Sequence, residues 1–192
     1  SHEFSALSDW GESDILYCDN CGMAATVERA EFTDEKPVVE EMQPTEVVFT
    51  PGTKTIEDVC AFLKADVTSS MKAVVYQRNA DDSYVIAFVR GDLEVNETKL
   101  RNHLKCEIHP AVVTEESGIT AGFIGPVNAP AGVTIVFDAS LEGIASLVCG
   151  ANESEYHCTG LDMERDLANI EYHDFAKIKE GGICPVCGKH SV

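Results

Sequence analysis

Long apolar runs are missing from this chain: none approaches the roughly 20 residues that a membrane helix needs. The opening Ser1-His2-Glu3-Phe4 lacks the charged-then-apolar order of a signal peptide. Together these absences lead us to expect a soluble, cytoplasmic protein with no membrane partner. Cationic side chains are scarce as well. Against 33 Asp and Glu stand 14 Lys and Arg, a formal net charge of −19. That argues against a broad nucleic-acid groove, which needs clustered Lys and Arg. Familiar catalytic signatures are also absent. There is no G-x-S-x-G elbow, no phosphate-binding G-x-x-x-x-G-K and no H-E-x-x-H.

What is present is ordinary globular material. The 192 residues are 44% hydrophobic and 24% charged, enough for one sizeable domain with a small appendage. The charge is unevenly spread. Residues 1–60 carry 3 basic and 14 acidic side chains, residues 61–105 carry 7 and 6, and residues 106–192 carry 4 and 13. Only the middle third does not repel anions. Lys99, Arg101 and Lys105 fall close together there. They read as a solvated helix face, or as a small contact for an anion such as the end of one nucleic-acid strand.

Eight cysteines are present, and two pairs bracket the chain: Cys18-Asp-Asn-Cys21 and Cys184-Pro-Val-Cys187, each followed by a glycine. In a secreted chain such pairs read as disulfides. Here the knuckle-like spacing at both ends places zinc ahead of disulfides and of thioredoxin-like redox chemistry. Four thiolates complete a tetrahedral site with no open position, so the metal is expected to be structural. A clamp joining both ends implies that everything between is one insert held by its stem. Cys60, Cys106, Cys149 and Cys158 lie among apolar residues and read as buried free thiols.

Residues 34–46 are acidic and carry two prolines, which reads as an extended linker. The expected division is a stem with the first knuckle and linker over 1–46, a main domain over 47–179 and the second knuckle over 180–192. Within the main domain Thr55, with Glu57 and Asp58, opens a helix whose inner face is Ile56, Val59, Cys60 and Leu63. Residues 71–77 and 84–90 read as two strands of a hairpin across the turn-rich 79–83. Asn96 caps a helix to about Leu104, Thr114 opens a short helix ending at Gly118, and residues 133–138 form a β-branched strand. Gly122, Gly125, Gly132 and Gly143 mark loops with close backbone approaches. Strands and helices alternate irregularly. The fold class expected is mixed α/β (α+β), a mixed sheet with flanking helices.

Three features are candidates for chemistry. Lys72 sits at the start of an apolar strand, an uncomfortable place for a charge unless something negative meets it. An edge lysine also commonly snorkels to water. Gly125-Pro126-Val127-Asn128-Ala129-Pro130 is a rigid loop with exposed amides, or simply a turn. Gly150-Ala151-Asn152 precedes a lone His157, which is as easily structural as catalytic.

These segments also carry a resemblance. Met71-Lys72-Ala73-Val74-Val75, Val89-Arg90-Gly91-Asp92 with Asn96-Glu97, Gly125-Pro126-Val127-Asn128, Gly150-Ala151-Asn152 and His157-x-x-Gly160 followed by Arg165-Asp166 occur in the order and spacing of a known domain. It is the editing domain inserted in bacterial prolyl-tRNA synthetases, of the YbaK/aminoacyl-tRNA deacylase family. The likeness covers about 47–179. Phe4-Ser5-Ala6-Leu7-Ser8 and Cys21-Gly22-Met23-Ala24-Ala25 resemble the flanks of that insert. Many members lack the four cysteines, and Met23 and Thr26 depart from a tyrosine and an asparagine common there; both departures touch the stem. Class II synthetase core motifs are absent, so the chain resembles the excised insert, which should neither activate proline nor bind ATP.

The resemblance implies hydrolysis of alanine from mischarged proline tRNA. By it, Lys72 holds the terminal phosphate or the ester oxygens. Gly125, Pro126, Val127 and Asn128 bind the amino acid through backbone groups. Asp138 meets the substrate ammonium, and His157 with Gly150 closes the small pocket. No metal is required for catalysis, and a ribose hydroxyl of the substrate activates water. The partners implied are the 3′ end of aminoacylated tRNA and the remainder of the synthetase; structural zinc on Cys18, Cys21, Cys184 and Cys187 rests on their spacing alone. Two rival readings are a zinc-stemmed binding module without turnover and a free-standing deacylase acting in trans, for instance on cysteinyl esters.

Overall fold

The computed structural model describes residues 8, 10–11, 13–31, 33–38, 43–179 and 181–189. Most of the first flanking motif and residues 39–42 of the expected linker lie outside them. Contacts divide the chain into two compact units, Ser1–Asp34 with Ile178–Val192, and Glu35–Lys177.

In the smaller unit, β1 (Ile15–Tyr17) and β2 (Ala24–Thr26) form an antiparallel ribbon around the first cysteine pair. Cys18, Ala30, Ile178 and Cys184 make its buried centre. So small a core holds few apolar side chains, which makes a metal or cross-link a natural addition.

The larger unit contains β3 (Glu46–Phe49), α1 (Ile56–Leu63), β4 (Met71–Arg78), β5 (Tyr84–Arg90), α2 (Glu97–Leu104), β6 (Ile108–Pro110), β7 (Thr134–Asp138), β8 (Leu147–Gly150), β9 (Tyr156–Leu161), α3 (Met163–Asp166) and β10 (Tyr172–His173). Five strands form a mixed sheet in the order β10-β7-β5-β4-β6, with β7 parallel to both neighbours and the other pairs antiparallel. A second, antiparallel sheet has the order β3-β9-β8. This is the mixed α/β class expected, with few helices.

Local chemistry explains the elements read correctly. Thr55 and Asp58 exchange capping bonds of 3.1 and 3.3 Å at the start of α1. Asn96 accepts from Thr98 and Lys99 at the start of α2. β4 and β5 pair from Met71↔Arg90 to Gln77↔Tyr84, the expected hairpin. β5 is central and covered on both faces, so its run Val85–Val89 is continuously apolar. Ile86 and Phe88 enter one core cluster, Val85 and Ala87 the other.

Elsewhere the structure departs from expectation. The helix expected at Thr114 is a single 3-10 turn, Glu115–Ser117, ended by Gly118 at φ 67°. Thr114 makes no capping bond, so nothing holds a full α turn. The acidic stretch read as a linker is stitched down where it is described. The Gln43 amide donates to Ser146, and Arg165 donates to the Gln43 carbonyl and to Thr45. Nor do Lys99, Arg101 and Lys105 form a cationic trio. Lys99 is buried with its ammonium 2.9 Å from Asp174, and Arg101 pairs with Glu107 at 3.0 Å. Arg90 and Asp92, part of the quoted motif, form an ion pair whose buried arginine also ties down the Glu35 carbonyl.

Candidate functional site

A cavity of about 140 Å³ lies where four segments of the larger unit converge. The start of α1 contributes Lys54, Thr55, Ile56 and Val59; the start of β4 contributes Met71, Lys72 and Ala73. A glycine-containing loop adds Gly122 and Ile124, and the β8–β9 hairpin adds Gly150 and His157. β6 pairs only with Tyr76–Arg78, so the edge of β4 at Met71–Ala73 is left open by that neighbour. The walls are apolar at Ile56, Val59, Met71 and Ile124. Two lysines face the cavity and no carboxylate does, among the described residues.

Lys72 is half-buried on this wall, and no described residue bonds or pairs with its ammonium. A cation placed on an apolar strand without a protein partner is poised for an anion from outside. His157 is buried, with Nδ1 2.6 Å from Thr50 Oγ1 and the Phe123 ring 5.3 Å away. Burial pushes its pKa below the usual histidine value, so the imidazole is neutral near pH 7. Thr50 is itself fully buried and also bonds the Glu155 carbonyl at 3.3 Å. It fixes the ring from the residue next to β3.

Gly150 forms part of the wall by a close backbone approach. A Cβ there would come within 2.2 Å of the Phe123 carbonyl, and one on Gly125 within 1.8 Å of the Gly150 oxygen. Only glycine fits at either position. The loop that follows is clasped by one side chain. Asn152 accepts from the Gly125 amide at 3.0 Å and donates to the carbonyls of Gly125 at 2.9 Å and Val127 at 2.7 Å. Its backbone holds φ 58°, a conformation asparagine tolerates better than most residues.

The structure thus brings together Lys72, Gly150 and His157. It does not bring Gly125, Pro126, Val127, Asn128 or Asp138 to the cavity wall. Part of the backbone of that loop is already engaged within the structure. The Gly125 amide and the Gly125 and Val127 carbonyls are already satisfied by Asn152, Pro126 has no N–H, and Asn128 is exposed. Asp138 is buried and turned to the backbone. Its carboxylate accepts from the amides of Phe175 at 2.8 Å, Ala176 at 2.7 Å and Ser140 at 2.8 Å, so in this structure it anchors the end of β7. Sequence reasoning missed Thr50 and Lys54 and gave Asn152 no role. Its tolerance of the left-handed region was the available signal for Asn152; Thr50 carried none.

In the smaller unit Cys18, Cys21, Cys184 and Cys187 place their sulfurs within 4.8 Å of one another. Cys18 and Cys187 are 3.6 Å apart, Cys21 and Cys184 3.8 Å. A tetrahedral ion with Zn–S bonds of about 2.3 Å needs sulfur separations of about 3.8 Å. The donor set therefore fits a four-coordinate ion. Both knuckles have the same backbone pattern. Gly22 and Gly188 donate to the carbonyls of Cys18 and Cys184, and the amides of those cysteines donate to Met23 and Lys189.

The family of aminoacyl-tRNA editing domains matches residues 50–166. The proline–tRNA ligase of Kosmotoga olearia is 41% identical over 196 residues, which take in 98% of this chain and 33% of that protein. That of Sulfurihydrogenibium sp. is 41% identical over 191 residues, with 97% and 33% covered. The chain spans about a third of the length of the curated relatives it matches. A solved structure proposed to be a trans-editing enzyme for prolyl tRNA synthetase shares the fold at a TM-score of 0.60 and 18% identity, over 70% of this chain and 87% of that one. No described helix is long and apolar enough to cross a membrane. With its editing-family match across the cavity-bearing unit, the chain belongs to the aminoacyl-tRNA editing domains of the deacylase family and is homologous to part of the proline–tRNA ligases.

Proposed function

We propose that the chain removes alanine from mischarged proline tRNA, as the editing insert of a cytoplasmic proline–tRNA ligase. The physical need is plain. A synthetic site shaped for proline cannot shut out a smaller amino acid, because each missing methylene is worth only about 1–3 kcal/mol. A second, smaller site can hydrolyse what the first lets through. The observation that carries the reading is Lys72, without a described protein partner, on the wall of a cavity of about 140 Å³. Cavities of about 150 Å³ hold a benzene-sized group. An alanyl ester has about that many heavy atoms, whereas a prolyl ester brings two further ring carbons.

In this mechanism the aminoacyl group enters between Ile56, Val59 and Gly150. Water adds to the ester carbonyl, and the Lys72 ammonium stabilises the oxyanion that forms. The intermediate collapses by breaking the bond to the ribose oxygen, which leaves as a hydroxyl with a proton from the attacking water. The vicinal ribose hydroxyl of the substrate orients that water. His157, neutral and held by Thr50, closes the pocket. The match of nearly the whole chain, stem included, inside relatives three times as long supports an insert over a free-standing enzyme. The four cysteines would hold zinc as a structural clamp; no catalytic step passes through it.

The test is deacylation of alanyl-, cysteinyl- and prolyl-tRNA by the purified chain. Alanine should be released and proline retained. Survival of alanyl-tRNA, or loss of prolyl-tRNA at an equal rate, overturns the proposal.

A further inference from the structure

A second cation shares the cavity wall. Lys54 lines the space together with Lys72, and the lining includes no carboxylate. In a chain of net charge −19 that is a marked local inversion. Lys54 has no described partner, although 33 acidic residues are available to the chain. It immediately precedes Thr55, the N-cap of α1, where the helix dipole presents its positive end. The first turn also carries Glu57 and Asp58, whose charges offset that polarity without pairing with Lys54. Asp58 is engaged in the capping box with Thr55, and Glu57 makes no ion pair among the described residues. A second cation with no described partner, lining a cavity that already holds one lysine, is relieved when an anion binds.

An ester substrate has one developing charge, at its carbonyl oxygen, which a single ammonium can meet. The end of a nucleic-acid strand carries a further fixed charge, the phosphodiester joining its last two nucleotides. We propose that Lys54 is the positioning residue for that phosphate, leaving Lys72 to the carbonyl oxygen. This rests on the proposed function for its substrate, but it makes a separate claim about which charge meets which lysine. Lys54, exposed and next to a turn at Pro51-Gly52, has the reach for a solvent-side group; half-buried Lys72 sits deeper on the wall.

Two probes that differ only by the phosphodiester and its added nucleotide separate the claims: the dinucleotide cytidylyl-adenosine and plain adenosine, each unacylated for binding and alanylated for hydrolysis. The wild-type chain should bind the dinucleotide about tenfold more tightly at low salt, and log affinity should fall with log salt with a slope of about −0.7, as for one phosphate contact on a single strand. In Lys54→Gln the preference should collapse towards unity and the slope towards zero, and Lys54→Arg should restore most of both. With the alanylated dinucleotide, Lys54→Gln should raise KM far more than it lowers kcat. An unchanged preference in Lys54→Gln, or a fall in kcat with KM intact, overturns the inference. If neither alanyl ester is hydrolysed while the Lys54-dependent binding preference persists, the deacylase reading fails and the phosphate site stands.

Discussion

Replacing Asn152 should loosen the cavity from behind. Its side chain makes three hydrogen bonds, at 3.0, 2.9 and 2.7 Å, to the backbone of residues 125 and 127. At about 1 kcal/mol net for each bond, Asn152→Ala loses about 3 kcal/mol. A further ~1 kcal/mol comes from forcing alanine to the left-handed φ of 58°. Asn152→Gly loses the same bonds without that strain, so it should be the milder variant. Asn152→Asp keeps an acceptor for the Gly125 amide but points a carboxylate at two carbonyls. It should be at least as damaging as alanine at pH 7 and recover on acidification. Urea unfolding checks the series through the midpoint at constant slope. Deacylation should fall in parallel, because Gly125 rests on the Gly150 oxygen and Gly150 is part of the cavity wall. An Asn152→Ala midpoint equal to that of the wild type would refute the clasp.

Lys72→Ala should reduce turnover by at least about a hundredfold, the scale of losing one oxyanion donor, with the unfolding midpoint nearly unchanged; wild-type kcat in that variant removes its catalytic role. His157 gives a pH dependence of stability. Its folded pKa is depressed by burial, so between that value and the ordinary 6.5 or so the unfolded chain binds a proton the native one refuses. Stability should therefore be full above about pH 6.5 and fall as pH drops through that window. His157→Gln should flatten this slope, and an identical slope in the variant counts against the assignment. The purified chain should carry about one zinc, and either chelation or Cys184→Ser should unfold the smaller unit while leaving the circular dichroism of the sheet unit largely intact. Four freely titrating thiols from Cys18, Cys21, Cys184 and Cys187 without a chelator would contradict this.

What could be read from the sequence was what local interactions determine. The capping box at Thr55, the Asn96 cap and the 71–90 hairpin each depend on residues less than about twenty positions apart, and all three are present. β3 was missed because it exists through its pairing with β9 across about a hundred residues; β8 and β9 pair as a local hairpin, but with a register shift that leaves little pattern to read. Tyr156–Leu161 alternates poorly and contains Gly160, whose backbone packs against Pro44. The site divides in the same way. Lys72 stood out because a charge on an apolar strand is locally anomalous, and His157 and Gly150 came with the family resemblance. Asp138 looked like a strand-end acid ready for a ligand; only the tertiary fold supplies the Phe175 and Ala176 amides that occupy it. Lys99 looked solvent-bound until Asp174, 75 residues away, was brought beside it.

The materials of the cavity wall bear on how a proline-sized group could be refused. Side-chain walls yield by changing rotamer, and a pocket bounded by them excludes an extra methylene only weakly. At Gly150 the wall is main chain. It is pressed against Phe123 so closely that not even a Cβ fits, and the next loop is fixed by Asn152. To admit a ring, this wall would have to separate two backbone segments and break the clasp, at a cost of about 3 kcal/mol from those hydrogen bonds alone. Selectivity placed in the backbone therefore needs no large side chain beside the ester, which leaves that side of the cavity for Lys72. The corollary is sharp: substitutions at Ile56 or Val59 should tune the tolerance for slightly larger groups gradually. Loss of the Asn152 clasp should instead let prolyl ester in while alanyl turnover falls. If Asn152→Ala lowers alanyl and prolyl hydrolysis by the same factor, the backbone wall is not what tells them apart.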